Sequence, residues 1–278
     1  MGKCLNRKII ASGFTINNSV WEKQGRKNCP EENRKSLIVS LLYNVCFLSI
    51  ILLCFQIRYE TNDDLSMATI ANMGEEHLIY INIVIGYLLK FLWNISAVIP
   101  WYPLLEVVSI FFANVFIEYV LLRNINKNAI KKIIVLFVGA GFSYFFYTQL
   151  QFTKVAGILL VADNLMSNEI NIIEIAVAFM QLTMGIMYRR SCFFMIIWAM
   201  LPLICICFIY LLTQKNIKKI IGACCLAITA LFLFWGLKQI DTHSYSTPEW
   251  QDYTEYNSVR GQLLDHGFPD YEENQEVY

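Results

Sequence analysis

Two adjacent carboxylates follow the first long apolar run of the sequence and are its leading candidates for chemistry. Asp63 and Asp64 stand in a short polar stretch, residues 58–64. Such a pair could act as a general base or hold a divalent cation, magnesium or manganese, because hard oxygen ligands suit these ions. The alternative is a solvated turn in which Asn62 and the two aspartates cap a following helix, Leu65 to Met73.

Three cations stand in or beside short turns between later apolar runs. Lys154 follows one run, and Arg189 and Arg190 separate two others. Guanidinium groups form paired hydrogen bonds with phosphate oxygens, so these residues predict a binding site for a lipid phosphate or diphosphate. Contact with ordinary anionic headgroups is the alternative.

Further acidic residues could add to such a site. Glu75, Glu76 and His77 could supply another metal ligand or a proton donor, or they could begin the next helix, where acids complement its dipole. Glu106 is expected near the same face of the membrane as the aspartate pair. Acids within apolar segments usually face the protein interior or a wet cavity. Four more belong to this class: Glu118, Asp163, Glu169 and Glu174.

The elements that carry these residues are apolar and long. Apolar residues make up 56% of the 278-residue chain and charged residues 16%, against about 25% charged residues in a soluble domain. The charges lie in blocks between apolar runs, which predicts an all-α, polytopic membrane helix bundle. A net charge of zero gives no indication of a nucleic-acid partner. The nine cysteines have no metal-ligand spacing with histidines and are expected to be reduced thiols.

Basic residues decide how the candidate spans are arranged. Lysines and arginines in short loops mark the cytoplasmic side. If residues 78–98 lie along the outer face, 15 of the 22 lysines and arginines are cytoplasmic; if they cross, two basic loops fall outside. The sequence therefore predicts seven spans, with the N-terminus inside and the C-terminus outside. The alternative is a tilted crossing in which Lys90 snorkels. The eight candidate segments are 36–57, 78–98, 102–122, 130–149, 152–167, 170–188, 192–212 and 217–237.

This topology divides the chain into three parts. Residues 1–35 form a basic cytoplasmic segment, residues 36–237 form the transmembrane domain, and residues 238–278 form an acidic extracytoplasmic tail. Residues 58–101 are an external excursion that contains juxtamembrane helices. In the tail, Pro248 to Asp265 is compatible with a helix that covers a cavity mouth or packs on the 78–98 helix, and disorder is the alternative.

The layout resembles the GT-C superfamily of membrane glycosyltransferases and, more closely, uncharacterised bacterial membrane proteins of GT-C-like layout. In that superfamily the first external loop carries a catalytic aspartate, juxtamembrane helices separate spans one and two, and the shared module has seven spans. The stretches that carry the resemblance are 62–67 (Asn-Asp-Asp-Leu-Ser-Met), 77–82, 101–105, 150–153 and 253–265.

The resemblance implies a glycosyltransferase, or a truncated remnant of one, at the outer face of a bacterial cytoplasmic membrane. It would transfer a sugar from a polyprenyl-phosphate donor. In this interpretation Asp63 or Asp64 deprotonates the acceptor or orients a metal, and Lys154, Arg189 and Arg190 hold the lipid phosphate. The alternative is a non-catalytic membrane subunit or a small transporter, in which acids within the spans matter more.

Overall fold

The computed structural model describes residues 30–60, 62–124, 129–164, 172–213 and 217–266. These residues are almost entirely helical, so the predicted all-α class is confirmed. Residues 1–29 and 267–278, which belong to the predicted basic segment and acidic tail, lie outside the described residues. The described residues form ten helices: α1 (Pro30–Cys54), α2 (Asn62–Asn72), α3 (Ile83–Ile95), α4 (Trp101–Asn124), α5 (Ala129–Thr148), α6 (Phe152–Asn164), α7 (Ile172–Tyr188), α8 (Arg190–Thr213), α9 (Ile217–Ser244) and α10 (Pro248–His266).

Three of these helices are long and apolar enough to cross a membrane. They are Asn33–Cys54 within α1, Trp101–Arg123 within α4, and Ala129–Thr148, which is all of α5. Both α1 and α5 expose large apolar side chains, such as Leu53 at 85% and Phe137 at 79%. Apolar faces of this extent are costly in water and favourable against lipid. Length and composition therefore support the predicted membrane character.

Three other predicted spans, 152–167, 170–188 and 192–212, coincide with helices whose apolar parts are shorter in the described residues. These parts are Phe152–Val161, Glu174–Tyr188 and Arg190–Pro202. The last predicted span, 217–237, lies within α9. Predicted spans 152–167 and 170–188 run into residues that lie outside the described ones. The number of seven spans accordingly remains a prediction.

The predicted helix at 78–98 is shorter in the structure. It is α3, which has 13 residues and a length of about 20 Å at 1.5 Å per residue. The hydrocarbon core is about 30 Å thick, so the length of α3 argues against a crossing. The helix starts late because the Asn82 side chain caps it by accepting the Val84 N–H. Just before the cap, Ile79 has a φ of 59°, which does not belong to a right-handed helix.

A short parallel ladder places the ends of α1 and α5 side by side. Arg58 of β1 (Arg58–Tyr59) pairs with Gln149 of β2 (Gln149–Leu150), and Tyr59 pairs with Leu150. The N–H of Glu60 continues the ladder with a 3.0 Å hydrogen bond to the Leu150 carbonyl oxygen. Helices α1 and α5 therefore finish at the same end of the bundle.

Helix α3 lies at that same end. The N–H of Asn82 donates to the carbonyl oxygen of Met187, near the end of α7, at 2.8 Å. The Asn82 side-chain amide donates to the carbonyl oxygen of Leu237 in α9 at 3.0 Å. The α3 end is defined here as the end of the bundle formed by residues 54–60, 62–101, 148–152, 187–190 and 237–266.

Helix α4 is the central helix of the bundle. Of its apolar stretch 56% is buried, against 17% for that of α1 and 6% for that of α5. It begins at the α3 end, where Tyr102 contacts Asp64. It finishes at the opposite end, where the Arg123 guanidinium pairs with the Glu174 carboxylate of α7. A polar residue on α4 can therefore be assigned to one end or the other by its position along the helix.

Helices α6 and α7 approach each other closely at a glycine. A Cβ atom on Gly185 would lie 2.8 Å from Cγ of Leu160 and 3.3 Å from the carbonyl oxygen of Ala156. The missing side chain allows the two helices to pack at short range. This packing holds the start of α6 and the end of α7, both at the α3 end, in one position.

Candidate functional site

Asp64 is buried and joins three helices. Its side chain has no exposed surface. Its Oδ1 accepts a hydrogen bond from the Tyr102 hydroxyl at 3.1 Å and another from the Phe152 N–H at 2.9 Å. The carboxylate therefore fastens the first turn of α2 to the starts of α4 and α6. The interpretation of Asp64 as part of a solvated turn is wrong, because packing of α2 against α4 removes it from water.

Asp63 occupies the same turn and is half-buried, so it is the more accessible member of the pair. The described residues contain no group of three or more His, Cys, Asp or Glu side chains placed to hold a metal ion. Asp64 already uses Oδ1 for two hydrogen bonds. The protein groups present around Asp63 and Asp64 do not by themselves make up the ligand set that magnesium or manganese needs.

Glu106 lies near Asp64, as the sequence led us to expect. It is fully buried one helical turn after Tyr102. Within the described residues neither carboxylate oxygen of Glu106 has a hydrogen-bond partner. Tyr59 of β1 is close enough to be influenced by both acids: burial first, and then the negative charges of Glu106 and Asp64, raise the pKa of its hydroxyl well above the usual range. A cluster of two buried acids, the buried Tyr102 and the half-buried Tyr59 therefore lies at the α3 end.

Two of the three predicted phosphate-binding cations already have acidic partners. The Lys154 ammonium pairs with the Glu60 carboxylate, and its Nζ lies 3.8 Å from the centroid of the Phe145 ring. Nη2 of Arg190 lies 3.0 Å from Oδ2 of Asp241. Each charge is compensated within the protein, so neither residue presents an uncompensated cation to a phosphate.

Arg189 differs from these two cations, because its contacts are with neutral groups. Its Nη1 donates to the Thr153 hydroxyl at 2.8 Å and its Nε donates to the Ser191 hydroxyl at 3.1 Å. The guanidinium carbon lies 5.0 Å from the centroid of the Phe152 ring. The side chain is exposed, and it combines a fixed orientation with a positive charge that faces solvent. Of the three cations, Arg189 has the contacts best suited to an incoming phosphate.

Glu75, Glu76 and His77 do not begin a helix, and this prediction is corrected. Helix α3 starts at Ile83, and the residues before it form an irregular turn. Glu76 pairs with Lys90 of α3, whose hydrogen bond lowers the pKa of the Glu76 carboxyl. The His77 ring stacks on Trp250 of α10 with centroids 4.7 Å apart. Glu75 is exposed.

The remaining acids of the apolar segments belong elsewhere. Glu118 is buried in α4 and its Oε2 accepts from the Asn44 side-chain amide at 2.8 Å. Glu174 pairs with Arg123 at the opposite end of the bundle. Glu169 and the side chain of Asp163 lie outside the described residues. The site at the α3 end therefore draws on Asp63, Asp64, Glu106 and Arg189.

Phe152 connects the acidic and basic halves of this site. Its N–H is bound by Asp64 of α2, and its ring lies beneath the guanidinium of Arg189, which follows α7. Asp64 and Arg189, which are 125 positions apart in the sequence, thus both contact Phe152, one through its backbone and the other through its ring. The structure therefore brings one predicted acid, Asp64, and one predicted cation, Arg189, into contact with the same residue at the α3 end.

The sequence reasoning missed a second polar group at this end, around Asp241. This residue is half-buried in α9, and its Oδ1 accepts the Ile83 N–H at 3.0 Å while its other oxygen pairs with Arg190. Tyr245 follows α9, and burial raises the pKa of its hydroxyl to about 12. One feature of the sequence could have indicated this group: Asp241 is an acid only four residues after the predicted span that ends at 237.

Comparison with known proteins gives no further guidance. No protein-family model, no curated protein and no solved structure matches this chain.

Proposed function

We propose that this chain is a membrane glycosyltransferase of GT-C-like layout that takes a sugar from a polyprenyl-phosphate donor. The observation that carries the proposal is the shared contact of Asp64 and Arg189 with Phe152. This contact supports a site in which a turn carrying a second, accessible carboxylate, that of Asp63, lies beside a guanidinium suited to phosphate. The donor lipid and the membrane are the partners that this assignment requires.

The proposal includes seven spans, α1 and α4 to α9, in a bacterial cytoplasmic membrane with the N-terminus inside. Pairing of β1 with β2 supports this count, because residues 58–59 and 149–150 must lie on one side of the membrane. An even number of crossings must then separate them. Helices α4 and α5 provide two, and a crossing by α3 would make three. The site at the α3 end is then extracytoplasmic.

The proposed reaction divides the work between the two groups. The carboxylate of Asp63 takes the proton of an acceptor hydroxyl, and the acceptor oxygen forms a bond to the anomeric carbon of the donor sugar. The bond between that carbon and the phosphate oxygen breaks, and the lipid phosphate leaves with the electron pair. Arg189 stabilises the charge on the departing phosphate through paired N–H donors.

Asp64 has a positioning role in this scheme. Its Oδ1 accepts hydrogen bonds from the Tyr102 hydroxyl and the Phe152 N–H, and the Asp64 side chain has no exposed surface. It holds the α2 turn so that Asp63 keeps its place relative to Arg189. Catalysis needs reacting groups within roughly 3 to 3.5 Å of each other in a fixed orientation, so loss of the anchor reduces turnover without removing the base.

The test is sugar transfer in membranes that contain the protein and a panel of polyprenyl-phosphate-linked hexoses. We expect the Asp63→Asn variant to lose transfer by at least about 100-fold, the lower range of a general base. Asp252→Asn is the matched control, because Asp252 is an exposed acid on α10, and it should transfer sugar at the wild-type rate. Full activity of Asp63→Asn would refute the proposed base.

A second candidate function, a small transporter or a non-catalytic membrane subunit, is favoured by Glu118. This acid lies inside α4 with 3% exposure, and within the described residues its Oε1 has no hydrogen-bond partner. Buried acids in a span commonly serve ion or proton pathways. Solute uptake into vesicles that depends on Glu118, abolished in Glu118→Gln, combined with no sugar transfer, would select this function.

A further inference from the structure

A cavity lined by residues other than Asp63 and Arg189 opens at the α3 end. It has a volume of about 370 Å³, near the lower limit of the roughly 300–1,000 Å³ that is usual for small-molecule sites. It lies between the end of α9, one face of α10 and the turn at 79–80. Its principal lining residues are Tyr80, Arg190, Asp241, Trp250, Tyr253 and Asn257.

One wall of the cavity contains a strained backbone. Ile79 has a φ of 59°, an unfavourable conformation for a β-branched residue. Its N–H donates to the Tyr245 hydroxyl at 3.1 Å, and the next side chain, Tyr80, accepts a hydrogen bond from the Asn257 amide at 3.2 Å. Backbone strain of this kind persists where surrounding contacts enforce it, and it is concentrated at ligand sites. Here it sets the position of the Tyr80 ring against the cavity.

The chemistry of the walls indicates the class of ligand. Tyr80, Tyr245, Trp250 and Tyr253 provide aromatic surface, and hydroxyls line the cavity from α9 and α10. The two charged groups, Arg190 and Asp241, neutralise each other at 3.0 Å. A ligand that suits these walls is uncharged, presents apolar C–H faces to the rings, and carries several hydroxyls for hydrogen bonding. An anionic ligand would have to compete with Asp241 for Arg190.

We propose that this cavity binds a neutral carbohydrate of one or two sugar units. The proposal goes beyond the glycosyltransferase assignment, since it concerns a different set of residues and holds whether the chain transfers sugars or not. The ring of Tyr253 lines the cavity from α10, while Tyr256 on the same helix is 64% exposed and does not line it.

The experiment measures binding to the full-length protein in a detergent whose headgroup is not a sugar. Glucose, galactose, N-acetylglucosamine and maltose are titrated, with saturation-transfer NMR and calorimetry as readouts. We expect saturable binding of at least one sugar, about tenfold weaker in Tyr253→Ala and unchanged in Tyr256→Ala. Tyr253→Phe keeps the ring and should bind within about threefold of wild type. A preference for maltose over glucose would identify a glycan chain as the source of the ligand, and equal binding would identify a free sugar.

Three outcomes would overturn the inference. They are the absence of saturable binding by any sugar in the panel, equal loss of binding in Tyr253→Ala and Tyr256→Ala, and displacement of the bound sugar by inorganic phosphate. Circular dichroism and thermal unfolding of each variant establish that it is folded. Because binding is measured without donor lipid, failure of the transferase proposal leaves this test unaffected, and the reverse also holds.

Discussion

The hydroxyl of Tyr102 donates a hydrogen bond to Oδ1 of Asp64 at 3.1 Å, between two side chains that are 1% and 0% exposed. The same oxygen accepts the Phe152 N–H. One carboxylate thus links the α2 turn to α4 and α6, although α2 lies in an excursion between helices. This link explains how a short loop helix keeps a defined position on the bundle.

Replacing Asp64 with alanine should destabilise the protein by about 2 to 6 kcal/mol. The substitution leaves a buried hydroxyl and a buried N–H without their acceptor, and each unsatisfied group costs about 1 to 3 kcal/mol. Denaturant unfolding of the purified protein measures the change. Asp63→Ala, at the neighbouring and more accessible position, should change the free energy of unfolding by less than about 0.5 kcal/mol. Equal losses in both variants would contradict the anchoring role of Asp64.

A methyl group at Gly185 should separate α6 from α7. Since its Cβ would lie 2.8 Å from Leu160 Cγ, Gly185→Ala should lower the free energy of unfolding by about 1 to 3 kcal/mol, the usual range for overpacking. Gly157→Ala on α6 is the matched control, because a Cβ there meets nothing within 4 Å. It should be neutral or slightly stabilising, since alanine favours helices. A stable Gly185→Ala protein would show that the two helices are not tightly packed.

Local patterns were sufficient to predict several helices closely. The predicted spans 102–122 and 130–149 correspond to Trp101–Asn124 and Ala129–Thr148. The stretch from Pro248 to Asp265, for which the sequence left helix and disorder open, is helical and extends to His266. Apolar runs and their polar boundaries are properties of neighbouring residues, so the sequence reveals them directly. The location of Glu106 near Asp64 followed from its position along a helix.

Pairings between distant residues could not be predicted in the same way. Nothing in the sequence distinguishes Asp63 from Asp64, and only the packing of α2 on α4 buries the second. The sequence predicts Lys154 as a phosphate ligand and does not reveal its pairing with Glu60, because that pairing depends on the ladder between β1 and β2. The start of α3 was placed too early because the cap at Asn82 is reinforced by contacts with Met187 and Leu237, on other helices.

Exchanging Arg189 for lysine should impair use of the phosphate-linked donor. Lysine keeps the charge but loses the planar pair of donors and the fixed contact over Phe152. We expect kcat/KM for the donor to fall about 10- to 100-fold, measured by sugar transfer at varied donor concentrations. Arg58→Lys, at an exposed arginine of the same end, is the control and should retain wild-type kinetics. An unchanged kcat/KM in Arg189→Lys would remove Arg189 from the donor site.

The Glu76 and Lys90 pair should make a small, pH-dependent contribution to stability. The hydrogen bond from Lys90 lowers the pKa of the folded-state Glu76 carboxyl from its ordinary value of 4.5. The contribution is therefore present above pH 4.5 and is lost as the pH falls through the folded-state pKa. It should be small because the Lys90 side chain is 42% exposed and solvent screens the pair.

Thermal unfolding of wild type and Glu76→Gln across this pH range measures the effect. The difference between the two proteins should stay constant from neutrality down to about pH 4.5 and shrink as the pH falls further, through the folded-state pKa. In a Lys90→Met background the difference should lose this pH dependence, because the interaction that shifts the carboxyl is absent. A difference that persists unchanged at acidic pH, or that is the same with and without Lys90, would show that the pair does not stabilise the fold.

The pairing of β1 with β2 predicts which surfaces share a side of the membrane. Single cysteines at Met73, Lys132 and Thr247, all exposed, can be introduced after the nine native cysteines are replaced. In intact bacterial cells an impermeant maleimide should label the cysteines at 73 and 247 and spare that at 132 until the membrane is opened. If α3 crossed the membrane, positions 73 and 132 would label together, because α3 and α4 would return the chain to the same side. That result would also separate residues 58–59 from 149–150, which the hydrogen-bonded ladder does not allow.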